Sequence, residues 1–165
     1  MAEKDWTDSL LERLASNRTS KEVEPYQVTA RISRVGLHIE RMQEAAFGRF
    51  GLNRGEMGVL GALALAGPKQ QMSPTQLFKG LMLSSAGITS RLDRLERGGY
   101  VRRTRHPKDR RGVIVELTPA GRKVFEQAVA ADAGQERQFV ASLNKEEQRA
   151  LATLLKKLLA GLEQV

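Results

Sequence analysis

The stretch SPTQLFKGLMLSSAGITSRLDRLERGGYVRRTRHPKDRRGVIVELTP, Ser73 to Pro119, decides how the chain is read. Ser73-Pro74-Thr75-Gln76 sets a cap residue, a proline at the first helical position and a glutamine at the capping-box position, so a helix starts at Pro74 and runs to about Leu81. Ser84 offers a second N-cap only a few residues later, and two helices joined this tightly form a helix-turn-helix. The second helix buries Ile88, Leu92 and Leu95 at i, i+4 and i+7, while Thr89, Ser90, Arg91 and Arg94 look elsewhere. Gly98-Gly99 stops it. Tyr100 to Arg105 and Gly112 to Thr118 are then short β-forming runs around the charged tip HPKDRR, with Val113, Val115 and Leu117 expected on one face. That is a two-stranded hairpin, a wing.

Outward from this centre, the flanks read as helices. Toward the N-terminus, Met57, Val59, Leu60, Leu63 and Leu65 mark a helix after Gly51, with Asn53 as its N-cap and Gly67-Pro68 as its break. Before it, Val28, Ile32, Val35, Ile39, Met42 and Ala46 keep one apolar stripe on a long helix beginning near Pro25; the stripe belongs either to the core or in part to a subunit interface. Asp5 to Leu14 reads as a short amphipathic helix carrying Trp6, Leu10, Leu11 and Leu14. Toward the C-terminus, Pro119 opens a helix with Val124, Ala128, Ala131 and Phe139. Asn144 and Glu147 then cap a last helix whose Leu151, Leu154, Leu155, Leu158, Leu159 and Leu162 form a face wider than solvent tolerates.

Composition narrows the function. With 165 residues and 41% hydrophobic content the chain is sized for one domain. No run of about 18 apolar residues exists and MAEKDWTDSLLERL lacks an apolar signal centre, so a cytoplasmic location is expected. Cysteine is absent, which excludes disulfides, thiolate catalysis and cysteine-ligated zinc. His38 and His106 each stand alone, read as a helix-surface and a loop histidine, and no metal site or cofactor is expected. No phosphate-binding glycine loop or HExxH spacing argues for an enzyme, and Glu146-Glu147 is explained by capping at a helix start.

The formal charge is +8, and six of those charges fall between Ser84 and Arg111, where nine Lys and Arg face three acids. A basic stripe concentrated on a helix pair and hairpin points to nucleic-acid phosphates. A helix fits the DNA major groove, and its first turns reach bases or phosphates, a task Ser84, Ser85, Thr89, Ser90 and Arg91 suit, with Gly87 permitting close approach. Arg110 and Arg111 at a hairpin tip suit a narrow minor groove, and Asp109 is better placed to pair within the wing and hold its shape. The competing reading is a non-specific architectural DNA binder that uses the same stripe without ligand control.

At this point the residues resemble the MarR family of winged helix-turn-helix transcription regulators. DRRGVIVELTPAG (Asp109 to Gly121) is similar to that family's wing and return strand, and LSSAGITSRLDRLERGGYVRR (Leu83 to Arg103) to its recognition helix and first wing strand. The resemblance spans about residues 51–121. It implies one mainly α domain over residues 1–165: a winged lobe at about 51–120 and dimerisation helices at about 1–50 and 120–165. It also implies a homodimer on double-stranded DNA at a roughly palindromic operator, repressing until a small ligand binds. By the same resemblance Asp109 and Arg111 are the wing pair, Lys108, Arg110 and Arg111 contact DNA with Ser84 to Arg94, and Ser73 and Thr75 lie near phosphates. Trp6 and Arg91 look like the branch that responds to urate, so a small anionic aromatic or purine-like effector is expected, although Gly58 stands where that branch has an aspartate. Trp6 is read either as a ligand contact or as a hydrophobic anchor, and Arg91 either as a ligand or as a DNA contact.

Overall fold

The computed structural model describes residues 4–81, 85–107 and 112–163, with the side chains of Ser85 and Ala86 left aside. The chain divides into two compact units, residues 1–54 and 55–165.

In the first unit, α1 (Trp6–Ala15) starts from a capping box in which Asp5 accepts from the Asp8 amide at 2.9 Å and Asp8 accepts from the Asp5 amide at 2.8 Å. A four-residue α2 (Ser20–Val23), which the polar spacing of SNRTSKEVEP does not announce, starts on a second such box between Thr19 and Glu22. The 23-residue α3 (Tyr26–Gly48) follows. Arg31 of α3 donates to Asp5 at 2.9 Å and Asp8 at 2.6 Å, tying α3 to the start of α1, while Leu11 and Val23 are buried. The apolar stripe of α3 is only partly core: Ala46 is buried, but Val28, Ile32 and Val35 are exposed on the single chain.

The second unit is built around α4 (Arg54–Ala64), α5 (Pro74–Gly80) and α6 (Ser85–Arg97). Met57, Val59, Leu60 and Leu63 of α4, Leu77 of α5 and Ile88, Leu92 and Leu95 of α6 are all buried, and each contributes about 1.5–3 kcal/mol. Leu65, expected in the apolar pattern of this helix, instead lies past its end and is exposed: α4 stops at Ala64, and the chain turns at Gly67, whose φ is +81°. The capping box at Ser73 is present, with the Gln76 amide donating to the Ser73 hydroxyl at 3.2 Å and the Ser73 amide to Gln76 Oε1 at 2.8 Å.

The sheet has three antiparallel strands rather than the two of a bare hairpin, in the order β1 (Gln71–Met72), β3 (Val113–Leu117), β2 (Val101–Arg105). The added strand pairs Gln71 with Glu116 and Met72 with Val115, just before α5 begins. Val113, Val115 and Leu117 do not share one buried face: Ile114 and Val115 are the buried pair and Val113 is exposed. Val113 stands opposite Arg105, the last pair of the β2–β3 ladder.

Thr118 starts α7 (Pro119–Phe139) by accepting from the Gly121 amide at 3.0 Å, and its hydroxyl also donates to the carbonyls of Gly99 at 2.7 Å and Tyr100 at 3.0 Å. In α7 the buried step from Ala128 lands on Asp132, not on Ala131, which is exposed. Four residues is the closer match to one 3.6-residue turn, so the carboxylate takes the inward position. Finally α8 (Lys145–Glu163) begins at Asn144, which accepts from the amides of Glu146 and Glu147. None of its residues is buried, and all six leucines of its apolar face are exposed on the single chain. No helix among the described residues is long and apolar enough to cross a membrane.

Candidate nucleic-acid interface

The interface read from sequence gathers in the second unit on α5, α6 and the β2–β3 hairpin. Thr89 and Ser90 sit exposed on the second turn of α6, with Ile88 and Leu92 buried on either side. The period of the helix therefore separates a core stripe from a polar stripe, as the spacing predicts. Thr75 is exposed on α5, while the hydroxyl of Ser73 is engaged in capping. Ser85 opens α6. Ser84, Lys108, Asp109, Arg110 and Arg111 lie outside the described residues. The ladder that carries the tip is closed by the His106 amide, which donates to the Gly112 carbonyl at 2.9 Å.

Several of the arginines behind the charge excess are occupied within the protein. Arg103 of β2 donates to Glu96 at 3.0 Å and pairs with Asp93 at 2.6 Å, both on α6, while its amide donates to Glu96 at 2.9 Å. Strand β2 and helix α6 are thereby fixed to each other. Across the ladder, Arg102 pairs with Glu116 at 2.6 Å and the Thr104 hydroxyl donates to the same carboxylate at 3.2 Å. The Arg102 guanidinium holds the Glu116 carboxyl below the usual carboxylate range.

Arg94 and Arg91 turn toward the first turn of α4. Arg94 Nε lies 2.7 Å from Oε1 of Glu56, a carboxylate only 1% exposed. One turn earlier, Arg91 donates to the Gly87 carbonyl at 3.0 Å, and its guanidinium fills the space beside Gly55: a Cβ there would stand 2.1 Å from Arg91 Nε. That Nε is buried and donates no hydrogen bond. Glu56 escapes a sequence reading, because an acid in a first turn is explained by the helix dipole alone and Arg94 is remote along the chain.

In the first unit Trp6 is 59% exposed, with the Arg34 guanidinium 4.8 Å from its ring centroid. The buried side chains of α1 are Thr7 and Leu11, so the docking of this helix rests on them rather than on the indole. Among the described residues no cluster of His, Asp or Glu suits a metal ion.

A family model described as MarR family matches residues 50–112. The transcriptional regulator PecS of Dickeya dadantii is 33% identical over 146 residues, covering 88% of this chain and 88% of PecS. Among solved structures, a mutant MarR from E. coli complexed with operator DNA aligns with a TM-score of 0.74 and 28% identity over 82% of this chain and 96% of that one. Sco3205, a MarR family transcriptional regulator from Streptomyces coelicolor in complex with DNA, aligns with a TM-score of 0.77 and 25% identity over 88% of this chain and 91% of that one.

Proposed function

The chain belongs to the MarR family of DNA-binding transcription regulators, and from that premise we propose that it is a homodimeric, cytoplasmic repressor, released from a roughly palindromic operator by a small anionic aromatic or purine-like ligand. It is a regulator and not an enzyme. The observation that carries the reading is the exposed Thr89–Ser90 edge of α6, joined through Arg103 to the wing, on a fold shared with two relatives solved on DNA. In this reading Ser84, Ser85, Thr89, Ser90, Arg91 and Arg94 address the major groove. Ser73 and Thr75 approach phosphates, and Lys108, Arg110 and Arg111 enter the minor groove with Asp109 bracing Arg111. The dimerisation helices are residues 1–50 and 120–165, whose exposed leucines on α8 and branched residues on α3 need a partner. Trp6 and Arg91 are each carried as candidate ligand contacts, Trp6 against a role as hydrophobic anchor and Arg91 against DNA contact, and Gly58 offers an effector no carboxylate.

The experiment is a titration of the protein against a duplex that it selects from a random pool and against a scrambled duplex, at several salt concentrations. A tight complex with the selected duplex, weakening steeply with salt, is expected. Equal weak binding to both duplexes contradicts the reading.

A further inference from the structure

We propose that Arg103 is a positioning residue for DNA binding: by gripping one row of acceptors on α6 it sets the angle between that helix and the wing. The proposal rests on the reading that α6 enters the major groove and the wing the minor groove. That angle then fixes the spacing between the two sets of DNA contacts. The sequence does not single Arg103 out, because it is one of nine basic residues in the stripe. Its place on the strand does.

The sheet order β1-β3-β2 leaves β2 at an edge, and there the Arg103 amide donates to Glu96 Oε1 at 2.9 Å. The guanidinium takes the other oxygen of the same carboxylate at 3.0 Å, Asp93 at 2.6 Å and the Thr89 carbonyl at 3.5 Å. Residues 89, 93 and 96 follow one another at i, i+4 and i+7, so these acceptors form a row along successive turns of α6. A guanidinium carries its donors in one rigid plane, and a plane held at several points resists both sliding and pivoting. Glu96, with one oxygen on the main chain and one on the side chain, closes a ring between strand and helix. The three side chains together carry a charge of −1. Removing an acid from such a cluster should, on electrostatic grounds alone, strengthen binding to phosphates. Positioning predicts the opposite sign.

The Arg103 side chain is 29% exposed, so the test separates positioning from direct contact with DNA. Affinities for the selected and scrambled duplexes are measured at several salt concentrations for wild type, Arg111→Ala, Arg103→Met, Arg103→Lys, Glu96→Ala and the Arg103→Met, Arg111→Ala double variant. Melting curves confirm that each is folded at the assay temperature; if Arg103→Met is not, Arg103→Lys replaces it in the double variant. Glu96→Ala is expected to weaken binding to the selected duplex about tenfold, although it adds positive charge, and to leave the scrambled duplex bound at least as tightly. Arg103→Lys should weaken the selected complex as well, because a point charge keeps the cation and loses the fork. Arg111→Ala should cost about tenfold in wild type and less than about twofold beside Arg103→Met, since a wing without its angle no longer delivers Arg111. Three results overturn the proposal: Arg103→Lys matching wild type, Glu96→Ala binding both duplexes more tightly, or the two arginine effects multiplying to within about twofold. A salt slope flattened by about 0.9 on both duplexes in Arg103→Met, together with such multiplication, identifies Arg103 as a phosphate contact instead. Failure of the underlying reading looks different: wild type would bind the two duplexes equally and Arg111→Ala would change neither affinity, which removes the premise and the proposal with it.

Discussion

Asp132 carries a charge problem that a neighbouring helix position would have avoided. It is 7% exposed, its Oδ1 has no hydrogen-bond partner, and burial, then the nearby Glu136 carboxylate, pushes its carboxyl above the ordinary value of 3.8. A group whose folded pKa is raised binds its proton more tightly when folded, so it favours the fold at low pH and loses that contribution as pH rises through the shifted value. Asp132→Asn is accordingly expected to raise the melting temperature at neutral pH, with the gain shrinking as pH falls toward 3.8; melts over that range check it. Gly121 is constrained by space instead. A Cβ there would stand 2.0 Å from the Tyr100 carbonyl oxygen, a backbone atom that Thr118 also holds. Gly121→Ala should cost about 1–3 kcal/mol in urea unfolding, since the crowded atom has no rotamer to escape into. Neither effect is legible in the sequence. Asp132 sits one place from the alanine that the stripe pattern selects, and the carbonyl over Gly121 comes from the far end of a hairpin.

Elements with strong local signals were legible. Ser73-Pro74-Thr75-Gln76 and Asn144 to Glu147 each form the caps their side chains allow, and α6 buries the three residues its spacing selects. What local signals left out was decided by partners. Residues 71 and 72 become a strand only because β3 offers an edge, with the Leu117 amide donating to the Gln70 carbonyl at 3.0 Å beside the ladder. At the same scale, α8 exposes a continuous row of leucines, Leu154 at 60%. In the homodimer reading a charge placed there is buried against its own copy, so Leu155→Glu should shift the chain from dimer to monomer in analytical ultracentrifugation while the second unit keeps its fold. An unchanged monomeric wild type would show that the row serves another purpose.

At the scale of the molecule, the charge stripe reads differently after folding. The sequence places six net charges between Ser84 and Arg111, but Glu56 and Glu116, both outside that span, return to neutralise Arg94 and Arg102, while Asp93 and Glu96 inside it hold Arg103. Linear charge counting cannot find such pairs, because folding brings them together. Family membership was legible for the opposite reason: α6 and the wing form one contiguous segment whose motif is local. The effector is tested on the intact protein. A thermal-shift screen of aromatic and purine-derived acids should reveal compounds that raise the melting temperature and lower affinity for the selected duplex; stabilisation without loss of DNA affinity contradicts the release mechanism.

The Thr118 hydroxyl, joining the root of the hairpin to the first turn of α7, has a mechanical consequence. A helix of 21 residues is a rod of about 31 Å, stiff along its length and, at this end, pinned to the carbonyls of Gly99 and Tyr100. The root of the wing is thus anchored to the first turn of α7 rather than to a loose loop.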